Sequence, residues 1–352
     1  MCFVAPQKPQ PKQCSDFVKQ PGMTETTPNK NNTFWVIVKV LLAVFLIGFV
    51  FARTNLPEVI RLFQEISPFA LVVYVLLFLL LTLLKAWQYH ILTGKGISYA
   101  QVLNAIILQN ALSNYLATTA GIASYVAMFR AEHGIKISRS IAVFLLIKIG
   151  DLIMIWLALI FSSMLVWQTI DALHNLILVL VLGIGFVILF FLLVVAFRKT
   201  FVVYLNSFAD RFRFSRFVMI QKALTSLQVL SDIEPKQMLQ TFAKALMLSA
   251  GYFVVSMAWI YTSYLVFDFP QAASAILFVN TLIQIISYLP VQVFGGLGVT
   301  ETSALYFWSP FLISQVDLAS FLIGSRLLFY LLNLLPLLYL SGSAVLQKAK
   351  NE

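Results

Sequence analysis

Charge is what this sequence has least of. Only 11% of its 352 residues are Asp, Glu, Lys or Arg, against about 25% in an ordinary soluble domain. With 60% hydrophobic residues, there are too few polar groups to cover a water-facing surface of this size. Cysteine is nearly absent too. Cys2 and Cys14 both lie near the N-terminus, which excludes a disulfide framework or a thiolate metal site in the body of the chain. His90, His133 and His174 are scattered without ligand spacing, so neither a metal nor another cofactor is expected. Alternating apolar and polar residues, the mark of a membrane barrel, are missing from runs such as Leu176 to Phe197.

What is present is a series of apolar runs of the length a helix needs to cross a bilayer, about 20 residues. The expected spans are Phe34–Ala52, Pro68–Leu92, Ser138–Trp167, Leu173–Phe197, Gln237–Phe267 and Asp317–Gln347. Residues 1–32 are rich in Pro, Lys, Gln, Asn and Thr and read as a disordered tail. Phe34–Ala52 follows too long a polar lead for a standard signal peptide and is taken as the first span. Two further stretches, Ser98–Arg130 and Gln271–Trp308, are too long for one crossing and are broken near their middles. The first breaks around Asn114-Tyr115-Leu116 and Gly121, the second between Ser287-Tyr288-Leu289-Pro290 and Gly298. Pro removes a backbone donor and Gly admits conformations that other residues resist, so each stretch reads as two half-helices joined by irregular backbone.

The net charge of +10 is read as loop charge on the cytoplasmic side of a membrane, not as a nucleic-acid surface. Lys8, Lys12, Lys19 and Lys30 precede the first span. Lys95, Arg130, Lys136 and Arg139, then Arg198, Lys199, Arg211, Arg213, Arg216 and Lys222, and finally Lys348 and Lys350 fall in alternate connections. The connections at Asp171, Asp268 and Asp317 hold no Lys or Arg. Only Arg53 and Arg61 run against the pattern, partly offset by Glu58 and Glu65. The chain is therefore expected to be an all-α polytopic transmembrane helix bundle. It would have about six spans, two re-entrant broken-helix hairpins and both termini in the cytoplasm. In that topology the second span, first hairpin and third span run opposite to the fifth span, second hairpin and sixth span. Such an inverted repeat is a transporter architecture with its substrate site between the repeats.

Ionisable residues inside spans are costly and usually functional. Lys148 and Asp151 share a face of the third span at i,i+3 spacing, where they would form either a substrate site or a neutralised pair. Arg326 lies at a mirrored depth in the sixth span, where Glu301 or Asp151 could neutralise it. Lys39, Lys85 and Lys244 sit near span ends and are expected to snorkel. Gly295, Gly296 and Gly298 precede a half-helix whose free amides and dipole favour an anion, although Glu301 in its first turn could take that place. No Lys-Ser or Lys-Thr follows, which excludes a nucleotide-binding loop. The segment Arg211-Phe212-Arg213-Phe214-Ser215-Arg216-Phe217 suits an amphipathic helix on anionic lipid.

These residues resemble the lysylphosphatidylglycerol synthase transmembrane-region family of flippase-like membrane proteins. Leu289-Pro290, Gly295-Gly296-Leu297-Gly298-Val299-Thr300-Glu301, and Arg326 with Tyr330 and Pro336 carry the resemblance, and Gly134 and Lys148 to Asp151 fit it in the first half. Family members often carry an acidic residue and an Arg after the first hairpin's Gly. This chain has Gly121-Ile122-Ala123-Ser124-Tyr125-Val126 there. The resemblance implies a flippase-like transmembrane domain over residues 33–347, followed by a cytoplasmic tail at 348–352. The lysyl-lipid synthases add a soluble aminoacyltransferase domain after this region, whereas this sequence ends at Glu352, directly after its last span, so that enzyme activity is expected to be absent. The expected partners are membrane lipids with an anionic or glycosylated headgroup, in a bacterial inner membrane. Whether the chain forms a homo-oligomer is open. A lipid-modifying enzyme such as a lipid-linked glycosyltransferase and a non-transporting assembly factor are the alternatives.

The orientation is testable by single-cysteine labelling on a Cys2→Ser, Cys14→Ser background. Ser215→Cys should be shielded from an impermeant reagent in intact cells, while Asp171→Cys and Ser314→Cys should react. Outside labelling of Ser215→Cys would reverse the topology.

Overall fold

In the lipid interior every backbone N–H and C=O must find a partner within the protein, and a helix provides this segment by segment. The computed structural model describes residues 56–93, 97–116, 120–125, 137–197, 200, 235–288 and 296–351, and their regular structure is helical throughout. In chain order the helices are α1 (Leu56–Gln64), α2 (Pro68–Thr93), α3 (Tyr99–Tyr115), α4 (Ile137–Val166), α5 (His174–Ala196), α6 (Pro235–Val266), α7 (Ala273–Ser287), α8 (Val299–Trp308) and α9 (Gln315–Asn351). The expected tail 1–32, first span Phe34–Ala52, Gly134 and Gly295, and nearly all of the basic segment 198–236 lie outside the described residues.

Among the described residues, five helices are long and apolar enough to cross a membrane. They are α2, α4, α5, α6 and α9, each starting and ending within a few residues of an expected span; α9 runs past its expected end at Gln347. Local chemistry sets several starts. Pro68 opens α2, where its missing N–H costs nothing, and the Ser67 hydroxyl accepts from the Ala70 amide at 3.4 Å. Ser98 caps α3 reciprocally with Gln101: the Gln101 amide donates to Ser98 Oγ at 3.3 Å and the Ser98 amide to Gln101 Oε1 at 2.9 Å.

The two broken stretches do divide. In the first, α3 ends at Tyr115 and helix resumes at residues 120–125. A Cβ on Gly121 would collide with Ser113 Oγ and lie 2.5 Å from the Gln109 carbonyl oxygen, so the returning segment presses directly on the backbone of α3. In the second, α7 ends at Ser287 and α8 begins at Val299, after Gly296 and Gly298 with φ of 82° and 84°. That left-handed backbone is strained for any residue with a Cβ. Both α3 and α7 are too short to span a bilayer.

At the centre α2 and α6 pack antiparallel. The Ser67 amide donates to the Val266 carbonyl at 3.3 Å, Tyr74 stacks on Trp259 at 5.0 Å, and Gln88 Nε2 donates to Ser249 Oγ at 2.8 Å. Positions that rise along α2 thus meet positions that fall along α6. Helix α4 packs on both, α7 lies on α4, and α3 lies on α2 and α9. Helix α5 is peripheral, with Leu178, Val179, Leu182, Phe186 and Phe190 exposed as a lipid-facing surface. It is pinned to α4 by Trp156 Nε1, which donates to the Val181 carbonyl at 2.8 Å. Helix α1 turns Val59 and Phe63 into the core against α9 and leaves Arg61 and Glu65 as an exposed pair at 3.6 Å. Part of the charge that ran against the loop pattern is therefore locally balanced.

Gly121→Val should lower the melting temperature in detergent by an amount corresponding to about 1–3 kcal/mol of overpacking. Gly183→Ala, where a Cβ meets nothing within 4 Å, should leave it unchanged. Equal melting of the two variants would refute the close approach.

Candidate functional site

The helices enclose a cavity of about 560 Å³ lined from α2, α3, α4, α6, α7, α8 and α9. Its wall mixes aromatic rings, side-chain amides and hydroxyls with five charged side chains: Lys85, Lys148, Asp151, Glu301 and Arg326. Four of the candidate residues named from the sequence therefore face one space, together with one that was not expected there.

Lys85 is that one. Its side chain stays inside, with Nζ 2.8 Å from Asp151 Oδ2 and only 14% of the side chain exposed, so the snorkelling expected of it does not occur. Lys244, in contrast, is exposed. The other oxygen of Asp151 accepts from Ser249 Oγ at 2.8 Å, and Ser249 Oγ accepts from Gln88 Nε2. Gly150 makes this junction geometrically available, because a Cβ there would stand 2.8 Å from Ser249 Oγ. One carboxylate thus ties α2, α4 and α6 together.

Of the two alternatives for Lys148 and Asp151, a substrate site or a neutralised pair, the direct pair is not formed. The i,i+3 spacing puts both on one face, but Lys85 from α2 reaches the carboxylate instead. Lys148 Nζ lies over the rings of Tyr288, at 5.1 Å, and Phe144, at 5.8 Å. Among the described residues no carboxylate is within ion-pair distance of it. The ring faces offer some electrostatic attraction but no countercharge.

Arg326 is paired as one of the alternatives had it, with Nε 3.1 Å from Glu301 Oε1. Its Nη2 also donates to Thr300 Oγ1 at 3.1 Å, and the guanidinium lies 5.5 Å from the Tyr330 ring centre. The second oxygen of Glu301 accepts from the Gly298 amide at 2.6 Å. Glu301 therefore caps its own helix, and the Gly298 N–H expected to face a ligand anion is already engaged. Gly296 and Gly298 supply the left-handed turn that brings Glu301 round to Arg326.

Sequence reading also missed what the hairpin tips touch. Asn114 Nδ2 donates to Asn333 Oδ1 at 2.8 Å, and the Tyr115 hydroxyl donates to the Tyr330 carbonyl at 2.7 Å. The Tyr115 and Tyr330 rings stack at 5.8 Å. The tip of the first broken stretch thus meets α9 beside Arg326, while Tyr288 at the tip of the second meets α4 at Lys148. The repeated Asn-Tyr-Leu and Ser-Tyr-Leu triplets were the available signal for this correspondence.

With this fold in place, comparison with known proteins becomes specific. Residues 36–336 match the family described as lysylphosphatidylglycerol synthase TM region, and the chain belongs to that family of integral membrane proteins. No curated protein and no solved structure gives a significant match.

The Lys85–Asp151 bond makes a prediction opposite to that of a snorkelling lysine. Lys85→Met leaves Asp151 as an uncompensated buried charge and should cost about 3–5 kcal/mol, read as an earlier thermal transition in detergent. Lys85→Met with Asp151→Leu should recover most of that loss. A Lys85→Met protein as stable as wild type would mean that the pair does not hold the bundle.

Proposed function

We propose that the chain is a translocator that moves an anionic lipid between leaflets, and that it is not an enzyme. The observation that carries this reading is Lys148: a lysine on a membrane-length helix, lining the cavity, with no carboxylate within ion-pair distance among the described residues. A lipid phosphate at Lys148 would supply the missing countercharge through a charge-assisted hydrogen bond. The rings of Tyr288 and Phe144 would then flank the ester, and the acyl chains would stay in lipid.

The architecture supports the same reading. We take α2, the first broken stretch and α4 as one repeat, and α6, the second broken stretch and α9 as its inverted copy. The antiparallel packing of α2 and α6 fits this, because they are the equivalent helices. So does the reciprocal packing in which α7 lies on α4 and α3 lies on α9. Each tip tyrosine then meets the intramembrane cation region of the other repeat. Substrate sites at such interfaces suit alternating access. From the distribution of Lys and Arg we take both termini to be cytoplasmic, and from the family we take the membrane to be a bacterial inner membrane. A glycosylated lipid with an anionic linkage would meet the same chemistry.

A non-transporting membrane assembly factor is the second reading. It is favoured by the internal satisfaction of Glu301, Arg326 and Gly298 at the tip of α8. Leaflet exchange in proteoliposomes separates the two. Because Lys148 is in no ion pair among the described residues, Lys148→Met should fold normally and lower the exchange of a fluorescent anionic lipid by roughly tenfold or more, the loss of one charged hydrogen bond. Unchanged exchange by a normally folded Lys148→Met protein would put the assembly reading ahead.

A further inference from the structure

Selection among anionic lipids is a question of how many charges the cavity can neutralise. Among the described residues, the cavity wall holds three basic side chains, Lys85, Lys148 and Arg326, and two carboxylates, Asp151 and Glu301. The remainder is one positive charge. Two of the cations are already committed, Lys85 to Asp151 at 2.8 Å and Arg326 to Glu301 at 3.1 Å. The surplus therefore resides on Lys148.

We propose that this cavity selects a headgroup bearing one net negative charge, a phosphodiester rather than a phosphomonoester or pyrophosphate, and that Asp151 sets that number. The inference rests on the proposed role in lipid translocation and specifies its substrate class. In a wall of low polarity an uncompensated charge is costly. A monoanion brings the cavity to neutrality, whereas a dianion carries it past neutrality to an excess of one negative charge. The other polar groups of the wall, such as Gln109, Asn110, Asn280 and Gln284, are neutral amides. They can bond to ester and hydroxyl oxygens but cannot absorb a second charge.

Asp151 acts here as a specificity-determining residue without touching the ligand. By holding Lys85 it removes a second ammonium from the ligand's reach. Lys85 Nζ lies 4.4 Å from the Tyr252 ring centre and Lys148 Nζ 5.1 Å from that of Tyr288. Without Asp151, two lysines on aromatic faces would confront the ligand, and a dianion would become the matching charge.

The test is equilibrium binding to the purified full chain in detergent, read by native mass spectrometry. The probes are phosphatidylmethanol and phosphatidic acid with identical acyl chains, at mildly alkaline pH. A methyl ester keeps the first at one charge, while the phosphomonoester, with a second pKa of about 6, carries close to two. Wild type should favour phosphatidylmethanol by on the order of tenfold. Asp151→Asn should reverse that order. Lys85→Met with Asp151→Asn removes one charge of each sign and should return the affinity ratio to the wild-type side, which keeps the proposal testable even if Asp151→Asn alone folds poorly. Equal affinity of wild type for the two lipids, or preference for phosphatidic acid, overturns charge selection and leaves translocation intact. So does a double variant whose ratio favours the dianion. Absence of leaflet exchange with the binding order preserved would instead overturn translocation alone.

Discussion

A carboxylate buried among membrane helices has to be answered by a cation and hydrogen-bond donors, and at Asp151 the answer comes from two other helices. Lys85 arrives from α2 and Ser249 from α6, at 2.8 Å each. These three helices form the middle of the bundle, and their mutual spacing is set at this point by a glycine, Gly150, against a serine. The same bond has an electrostatic effect on the cavity. It cancels Lys85 as a ligand-facing charge and leaves Lys148 as the cavity lysine outside an ion pair among the described residues. Stability and ligand chemistry are thus joined at one side chain, and only substitutions made in pairs can separate them.

The second charged group works differently. Arg326 and Glu301 neutralise each other, and Glu301 also closes the N-terminus of α8 by accepting from Gly298. That half-helix needs no outside anion. The left-handed glycines before it are required by the path of the backbone rather than by the approach of a headgroup. Between Lys148 and Arg326, the residue that belongs with the recognisable glycine motif is the one already paired.

What could be read from the sequence follows from what one dimension contains. Spans such as Pro68–Thr93 and His174–Ala196 are visible because lipid demands an unbroken apolar run, the break at Gly298 because few residues tolerate its left-handed backbone, and that at Gly121 because glycine admits a close approach to α3. Lys148, Asp151, Glu301 and Arg326 are visible because ionisable residues in spans are rare. Partnership is not visible in this way. Asp151 has Lys148 three residues away on its own helix, yet it bonds to Lys85, 66 residues away in sequence. The preference reflects how α2 and α4 cross, which no local pattern encodes. Lys85 near a span end reads as a snorkeller only while its neighbours are unknown. Likewise, the repeated tyrosine triplets suggest two equivalent tips but do not say that each tip docks on the other half.

That crossed docking has a consequence for a chain made and inserted from its N-terminus. Lys85 and Asp151 are 66 residues apart, so their bond can form as soon as α4 enters the membrane. Ser249 comes 98 residues after Asp151, and Asn333 comes 219 residues after Asn114. During synthesis the first broken stretch therefore waits with the amide of Asn114 and the hydroxyl of Tyr115 lacking their final partners until the last helix is delivered. A chain cut short before α9 would keep its central ion pair but expose unfilled polar groups within the bilayer, the kind of defect that membrane quality-control proteases can detect. Asn114 and Tyr115 thus reach their bonding partners only when α9 is in place.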